Sequence, residues 1–354
     1  MTNMFIENMS YVEATLAAQR RILVEKNKSL ILGINVTSPS AIFGSVKGLY
    51  KEFGENRVIE TPASENAITG IALGLATSGH IPIVVHQRLD FAILSFDMLI
   101  NQLAKWRFMY GDHLSAPVIV RMVVGRGWGQ GPQHSQALHS LFMHIPGFRV
   151  FSPSSPQDIY SSIAEASNLN CPSILIEHRW LYSTSGNVDQ TQIELKNPTR
   201  THALSESSLV TVVTISFSTL EILRAKTILE HSGVKIDVFE VVRLDQLELD
   251  SILESIHKTG KLLIADIGHK FAGAASSILA ELVIQGAKFQ QPPMILGLPN
   301  YPTPTSPSLS ATYYPSCLDI LKAITNLSGL DLHFIDPDHE SMVDIPGDRF
   351  IGYY

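Results

Sequence analysis

A carboxylate, a histidine and two arginines are the side chains whose placement in this sequence could support chemistry. Glu65 closes the run Thr61-Pro62-Ala63-Ser64-Glu65. Thr61 suits a helix N-cap and Pro62 the first helical position, so the spacing predicts a helix from there to Ser78. Its apolar stripe would be Ile68, Ile71, Ala72 and Leu75, and Glu65 falls on the same inward face. Burial penalises a charged carboxylate unless a partner compensates it, and such groups concentrate at functional sites. A glutamate in the first turn also complements the helix dipole. The spacing alone leaves both readings open.

The second candidate follows a loop with glycine at every other position, Gly125-Arg126-Gly127-Trp128-Gly129-Gln130-Gly131-Pro132. Glycine permits positive φ and close approach of backbone to a ligand. No Gly-Lys-Ser/Thr follows, and no helix opens at the last glycine, so neither a Walker loop nor a dinucleotide fingerprint is present. Gln133-His134-Ser135-Gln136 comes next and places the titratable His134 at a strand-to-helix junction. His86, Gln87, Arg88, Asp90 and Phe91 follow another strand end, Ile81 to Val85. Ligand sites in parallel sheets lie at the carboxyl ends of strands, so these two stretches could face one cleft. His139 and His144 are spaced like residues on a helix surface and receive no role. A serine-hydrolase reading lacks its Gly-x-Ser-x-Gly elbow.

The elements that must position these groups alternate. Helices are expected at Val12–Glu25, Val46–Phe53, Phe96–Tyr110, Gln136–His144 and Gln157–Asn168. Strands are expected at Leu30–Leu32, Val58–Ile59, Ile81–Val85, Pro117–Val124, Arg149–Ser152 and Ser173–Glu177. This pattern predicts an α/β domain with a parallel sheet over residues 1–185. Residues 186–208 are polar and weakly periodic and read as a linker. A second α/β alternation occupies 209–327, and 328–354 reads as an acidic tail. At 354 residues with 45% apolar and 17% charged side chains, two cores and a large subunit interface are affordable. A net charge of -7 argues against nucleic acid and anionic membranes. Two cysteines, Cys171 and Cys317, make no disulfide framework or metal spacing and suit a cytoplasmic protein. The N-terminus has no apolar signal region, and no apolar run is long enough to span a bilayer.

Several of these motifs together resemble the β subunits of thiamin diphosphate-dependent 2-oxo acid dehydrogenases, in the transketolase superfamily. They are Thr61-Pro62-Ala63-Ser64-Glu65, Gly70-Ile71-Ala72-x-Gly74, Asn101-Gln102-x-Ala104-Lys105, Gln133-His134-Ser135-Gln136 and Gly147-Phe148-Arg149-Val150-Phe151-Ser152-Pro153. The resemblance runs in register from about Tyr11 to Thr325. It implies a pyrimidine-binding parallel-sheet domain followed by a transketolase C-terminal-like domain. It also implies that Glu65 hydrogen-bonds N1′ of the cofactor's aminopyrimidine, that Phe91 stacks on that ring beside Gln87, and that His134 assists acyl transfer. No Gly-Asp-Gly diphosphate motif occurs. Thiamin diphosphate is therefore expected to be shared with an α subunit that also holds most of the Mg²⁺ coordination, with no metal ligand in this chain. The implied assembly is an α2β2 heterotetramer with β–β contact, and a lipoyl-bearing acyltransferase is a further partner the resemblance allows.

Departures from the family pattern are also legible. Ile34 stands where the family usually has an acid of a proton-conducting tunnel, and Asp266-Ile267 where it usually has His-Glu. Arg88, Arg126 and Trp128 replace smaller or neutral residues. Arginine pairs bidentately with carboxylate or phosphate, so Arg88 and Arg126 point to an acidic or phosphorylated substrate. An altered subunit contact is the competing reading. Two alternatives to the dehydrogenase stand: half of a split transketolase-like enzyme moving a two-carbon unit, and a non-catalytic scaffold. Retention of Glu65 and His134 argues against the scaffold.

Overall fold

A computed structural model of the chain describes residues 5–111, 114–127, 129–335 and 337. It divides into two compact bodies. One comprises the chain up to Gly125 together with Leu141–Lys196, and the other comprises Arg126–Ser140 together with the chain from Asn197 onward.

The first body contains β1 (Phe5–Ser10), α1 (Tyr11–Glu25), β2 (Ser29–Gly33), α2 (Leu49–Phe53), β3 (Val58–Glu60), α3 (Glu65–Thr77), β4 (Ile81–His86), α4 (Leu89–Ala92), α5 (Ala104–Tyr110) and β5 (Ile119–Val124). It resumes within α6 (His139–His144) and continues through β6 (Arg149–Phe151), α7 (Pro156–Ala166), β7 (Ser173–His178) and β8 (Ser185–Asp189). Six strands form one sheet in the order β3-β2-β4-β5-β7-β6, and every pair is parallel. β2, β5 and β7 are buried at every position, which explains their near-continuous apolar runs. The charges inside two of those runs answer each other. The fully buried Arg121 of β5 donates to both carboxylate oxygens of Glu177 in β7, at 2.6 and 2.7 Å. Its third nitrogen donates to Gln19 Oε1 at 2.7 Å, and the Tyr182 hydroxyl donates to Glu177 Oε2 at 2.7 Å.

Chain order along the sheet reverses between β2 and β4: β2 leads outward to β3, and the next strand returns to β2's other side. Such a switch point opens a crevice at the strands' carboxyl ends. A Cβ on Gly33, the last residue of β2, would come within 2.6 Å of the Val85 carbonyl oxygen, so glycine is what lets the backbones approach there.

The second body carries β9 (Thr199–Ala203), β10 (Thr211–Thr214), α8 (Ser218–His231), β11 (Asp237–Val241), α9 (Asp250–Thr259), β12 (Leu262–His269), α10 (Ala274–Ile284), β13 (Met294–Leu298), α11 (Pro307–Ser310) and α12 (Cys317–Ser328). Its sheet order is β13-β12-β10-β11-β9, parallel except for the antiparallel edge strand β9. Val212, Val238 and Leu263 of the sheet pack with Ile222 and Leu229 of α8 and with Ile320 and Ile324 of α12.

Residues 186–208, expected to be a polar linker, hold most of β8 and all of β9. β8 pairs antiparallel with β1, a strand that Phe5–Ser10 did not announce. β1 and β8 form a two-stranded ribbon and β9 is an edge strand, and their largely polar sequences blur the apolar alternation that reveals a strand. Most of the stretch read as an acidic tail, from residue 338 on, lies outside the described residues, as does Trp128. Among the described residues, no helix is long and apolar enough to cross a membrane, and no cluster of histidine, cysteine and acidic residues could hold a metal ion.

Candidate functional site

Glu65 owes its position to the end of β3. The Thr61 N–H donates to the Gly33 carbonyl at 3.0 Å, extending the strand pairing by one residue. Thr61 thereby belongs to the strand end, four residues before the helix starts, and Pro62 lies outside the helix. Instead α3 begins at Glu65 with Ser64 as its N-cap, and the Ser64 side chain makes no capping bond. The inward face is Glu65, Ile68, Thr69, Ala72 and Ala76, while Ile71 is 53% exposed. The expected stripe is therefore turned about the helix axis, yet Glu65 remains on the buried face at 8% exposure. Among the described residues its carboxylate makes no hydrogen bond or ion pair, and its oxygens are not among the fully buried unpaired atoms, so they open toward solvent. A carboxylate set this way on the inward face, with its oxygens unpaired, is free to accept from a donor on a ligand.

Gln87 and Phe91 stand beside the switch point. The Gln87 amide donates to the Ile34 carbonyl at 3.3 Å, bridging the ends of β4 and β2. Half-buried Phe91 lies in α4, which packs against α3. Downstream, the helix expected over Phe96–Tyr110 is π-helical from Asp97 to Leu103 before α5 begins. Such wide turns recur near functional sites. Gly147 is obligatory for packing this layer, because its φ is +108° and a Cβ would strike the Ala104 carbonyl oxygen.

Arg88 is buried at 3% exposure, and its guanidinium carbon lies 5.5 Å from the Phe43 ring centroid. Arg179, at the end of β7, lies 4.7 Å from the same ring. Sequence reasoning passed over both Arg179 and Phe43. The strand-end rule that singled out Arg88 would have found Arg179, since it directly follows the apolar run of β7. His86, also at a strand end, is buried, and burial pushes its imidazole down to about 4, so it is neutral at pH 7.

His134 and Arg126 belong to the second body. The glycine loop does use its glycines: Gly127, Gly129 and Gly131 all have positive φ, and a Cβ on Gly131 would collide with the Thr305 hydroxyl. Half-buried His134 ends the short turn Gly131–Gln133. Arg126 spends its guanidinium face on aromatic rings, 4.6 Å from Tyr314 and 5.5 Å from Phe217. His139, expected on a helix surface, is 1% exposed, and its Nε2 lies 2.9 Å from Asp266 Oδ1. The partner acid came from a strand more than a hundred residues away, which helix periodicity cannot reveal. Asp266 also accepts from the N–H groups of Gly268 at 3.0 Å and Ala275 at 3.2 Å. Burial works to raise its carboxyl, but His139 and those two donors hold it below the ordinary range. This pair ties the segment bearing His134 to β12 and the start of α10.

Two family models match. The transketolase pyrimidine binding domain covers residues 7–184, and the transketolase C-terminal domain covers residues 200–320. The chain is 34% identical over 284 residues to the acetoin:2,6-dichlorophenolindophenol oxidoreductase subunit beta of Cupriavidus necator, spanning 80% of this chain and 83% of that one. It is 30% identical over 313 residues to the pyruvate dehydrogenase E1 component subunit beta of Rickettsia felis, spanning 88% and 96%. Among solved structures, a split gene transketolase described as an inactive β4 tetramer matches with TM-score 0.70 at 20% identity, covering 92% of this chain and 100% of that chain. That likeness speaks to the fold.

Proposed function

The chain belongs to the transketolase family, among the β subunits of thiamin diphosphate-dependent 2-oxo acid dehydrogenases, and on that premise we propose that it forms the aminopyrimidine half of an active site completed by an α subunit. The observation that carries this reading is the Glu65 carboxylate, nearly buried at the start of α3 with no partner among the described residues. A protonated or N–H-bearing ring nitrogen is the donor such a group lacks. Glu65 would hold the proton at N1′ of the aminopyrimidine, Phe91 would stack on the ring, and Gln87 would border it from its fixed place at the switch point. Thiamin diphosphate, held there, would supply an electron sink for decarboxylation of a 2-oxo acid. His134 would act as a general acid or base when the acyl group passes to an acceptor such as a lipoyl domain.

The diphosphate and its Mg²⁺ would be held by the partner chain. What supports this is that the sequence contains no Gly-Asp-Gly and that, among the described residues, no group of histidine, cysteine and acidic side chains could hold a metal ion. An α subunit would supply both, in an α2β2 assembly. Glu65→Gln tests the reading in the complex with the α chain: cofactor-dependent decarboxylation should fall by a factor of about 100 or more, within the range attributed to acid–base groups. Unchanged turnover would refute the role of Glu65. A two-carbon transfer between sugars is the second reading, favoured by the arginines at the strand ends. It predicts turnover that requires an aldose acceptor and no lipoyl domain.

A further inference from the structure

Burial alternates along the segment that carries His134. Ser135, Ala137 and His139 are buried, while His134, Gln136 and Leu138 are half-buried. No helix or strand includes residues 134–138, and α6 starts at His139. A period of two sets alternate side chains on opposite faces. The segment is therefore a strap, seated on the second body through Ser135, Ala137 and His139, with His134 on its other face.

The floor beneath the strap is built by β12. Between its pairings Ala265↔Leu296 and His269↔Leu298 with β13, β12 sets Asp266, Ile267 and Gly268 opposite the single residue Gly297. Bulges re-aim a side chain and recur next to functional sites. This one stands on glycines. A Cβ on Gly297 would lie 2.8 Å from the Gly268 carbonyl oxygen, and one on Gly268 would lie 2.8 Å from His139 Cε1 and 3.2 Å from the Ala137 carbonyl oxygen. The side chain that the bulge delivers is Asp266. Its Oδ1 accepts from the Gly268 N–H at 3.0 Å and lies 2.9 Å from His139 Nε2, and its Oδ2 accepts from the Ala275 N–H at 3.2 Å. His139 Nδ1 has no hydrogen-bond partner among the described residues, so the imidazole's polar hold there is Asp266. At the strap's other end, Gly131 passes so close to Thr305 that a Cβ would strike its hydroxyl.

We propose that His139 and Asp266 are positioning residues for His134: with the Gly131–Thr305 contact they fix the strap at both ends, and so fix where the His134 imidazole stands. Neither residue need touch substrate. The inference rests on the reading of His134 as the acid–base group of acyl transfer, and adds the device that gives that group its place. A shift of about 1 Å in a catalytic group can cost a factor of about 100 in rate.

The test uses the complex with the α chain and separates two rates with pyruvate as the probe. One is decarboxylation read by reduction of 2,6-dichlorophenolindophenol, and the other is acyl transfer to a lipoyl domain. His139→Leu should lower the transfer rate by a factor of about 10 or more, while the dye-coupled rate and the KM for pyruvate stay within a factor of about 2. His139→Gln, which keeps a donor in reach of Asp266, should recover most of the transfer rate. In the full chain alone, hydrogen exchange read by mass spectrometry should show residues 132–139 losing protection in His139→Leu and keeping it in His139→Gln. If His139→Leu fails to fold, Gly268→Ala carries the same comparison, because its Cβ pushes the ring and the Ala137 carbonyl while both members of the pair remain. An equal fall in both rates, or transfer unchanged in both variants, would overturn the proposal. His134→Gln keeps the two readings apart. A selective loss of transfer in that variant with none in His139→Leu refutes the positioning role alone. Transfer unaffected by His134→Gln refutes the acid–base role, and unchanged exchange in His139→Leu then refutes the anchoring as well.

Discussion

Replacing Arg121 with methionine should expose how much the first body depends on one buried ion pair. Methionine fills much of the same volume, so the cavity contribution is small. What remains is a Glu177 carboxylate at 0% exposure that has lost two donors at 2.6 and 2.7 Å and keeps only the Tyr182 hydroxyl. Stranding a buried charge in this way costs about 3–5 kcal/mol, a large share of the roughly 5–15 kcal/mol that holds a domain folded. At about 2–4 °C per kcal/mol for a body of this size, the melting temperature should fall by about 6–20 °C. Pairing Arg121→Met with Glu177→Leu removes both charges, and the double variant should be more stable than Arg121→Met alone. Some loss should persist, since Gln19 and Tyr182 each forfeit a partner. Urea unfolding followed by tryptophan fluorescence, with Trp180 buried two residues before Tyr182, reads the difference. A loss below about 1 kcal/mol for the single variant would show that water reaches Glu177 and that the reasoning is wrong.

Three further outcomes are open to the same assay. For Asp266, held below its ordinary range in the fold despite burial, the stabilisation is present above about pH 4 and fades as pH falls through the folded value. Asp266→Asn should therefore be less stable than the parent at pH 7, with the gap closing below about pH 4; a gap independent of pH would count against the ion pair. His86 behaves as a base suppressed by burial, to about 4. The unfolded chain takes up its proton near pH 6.5, so stability should decline as pH falls from about 6.5 to 4. His86→Leu should flatten that slope, and the His86 ring resonances should not titrate between about pH 6 and 8 in NMR spectra. Gly147→Ala should cost about 3 kcal/mol or more through positive φ and the collision with Ala104. Gly54→Ala is the control: φ is +79° but the space is open, so a cost equal to that of Gly147→Ala would refute the steric argument.

The alternation of helices and strands carried most of the fold, because buried parallel strands such as β5 and β7 leave apolar runs that little else produces. Glu65 was found on its inward face for a sound reason, periodicity, although Thr61 and Ile71 were misplaced. Periodicity fixes a face only to within about a residue, and it says nothing of a neighbouring strand that borrows Thr61's N–H. The pair His139–Asp266 and the convergence of Arg88 and Arg179 on Phe43 were hidden because each joins distant stretches of chain. A signal for such partners did exist in Arg121 and Glu177, charges set inside apolar strands, which demand a mate without naming it.

The excursion of Arg126–Ser140 into the second body has an evolutionary corollary. The seam at Lys196 is a joint at which genes could exchange domains, yet it is not the only crossing. A fragment ending there would keep the six-stranded sheet but separate His139 from Asp266 and Gly131 from Thr305. Recombination at that seam could succeed only if the incoming domain brought an acid and a hydroxyl already fitted to a loop inherited from the other parent. The two halves are thereby bound to change together, and the loop bearing His134 is where their histories must agree.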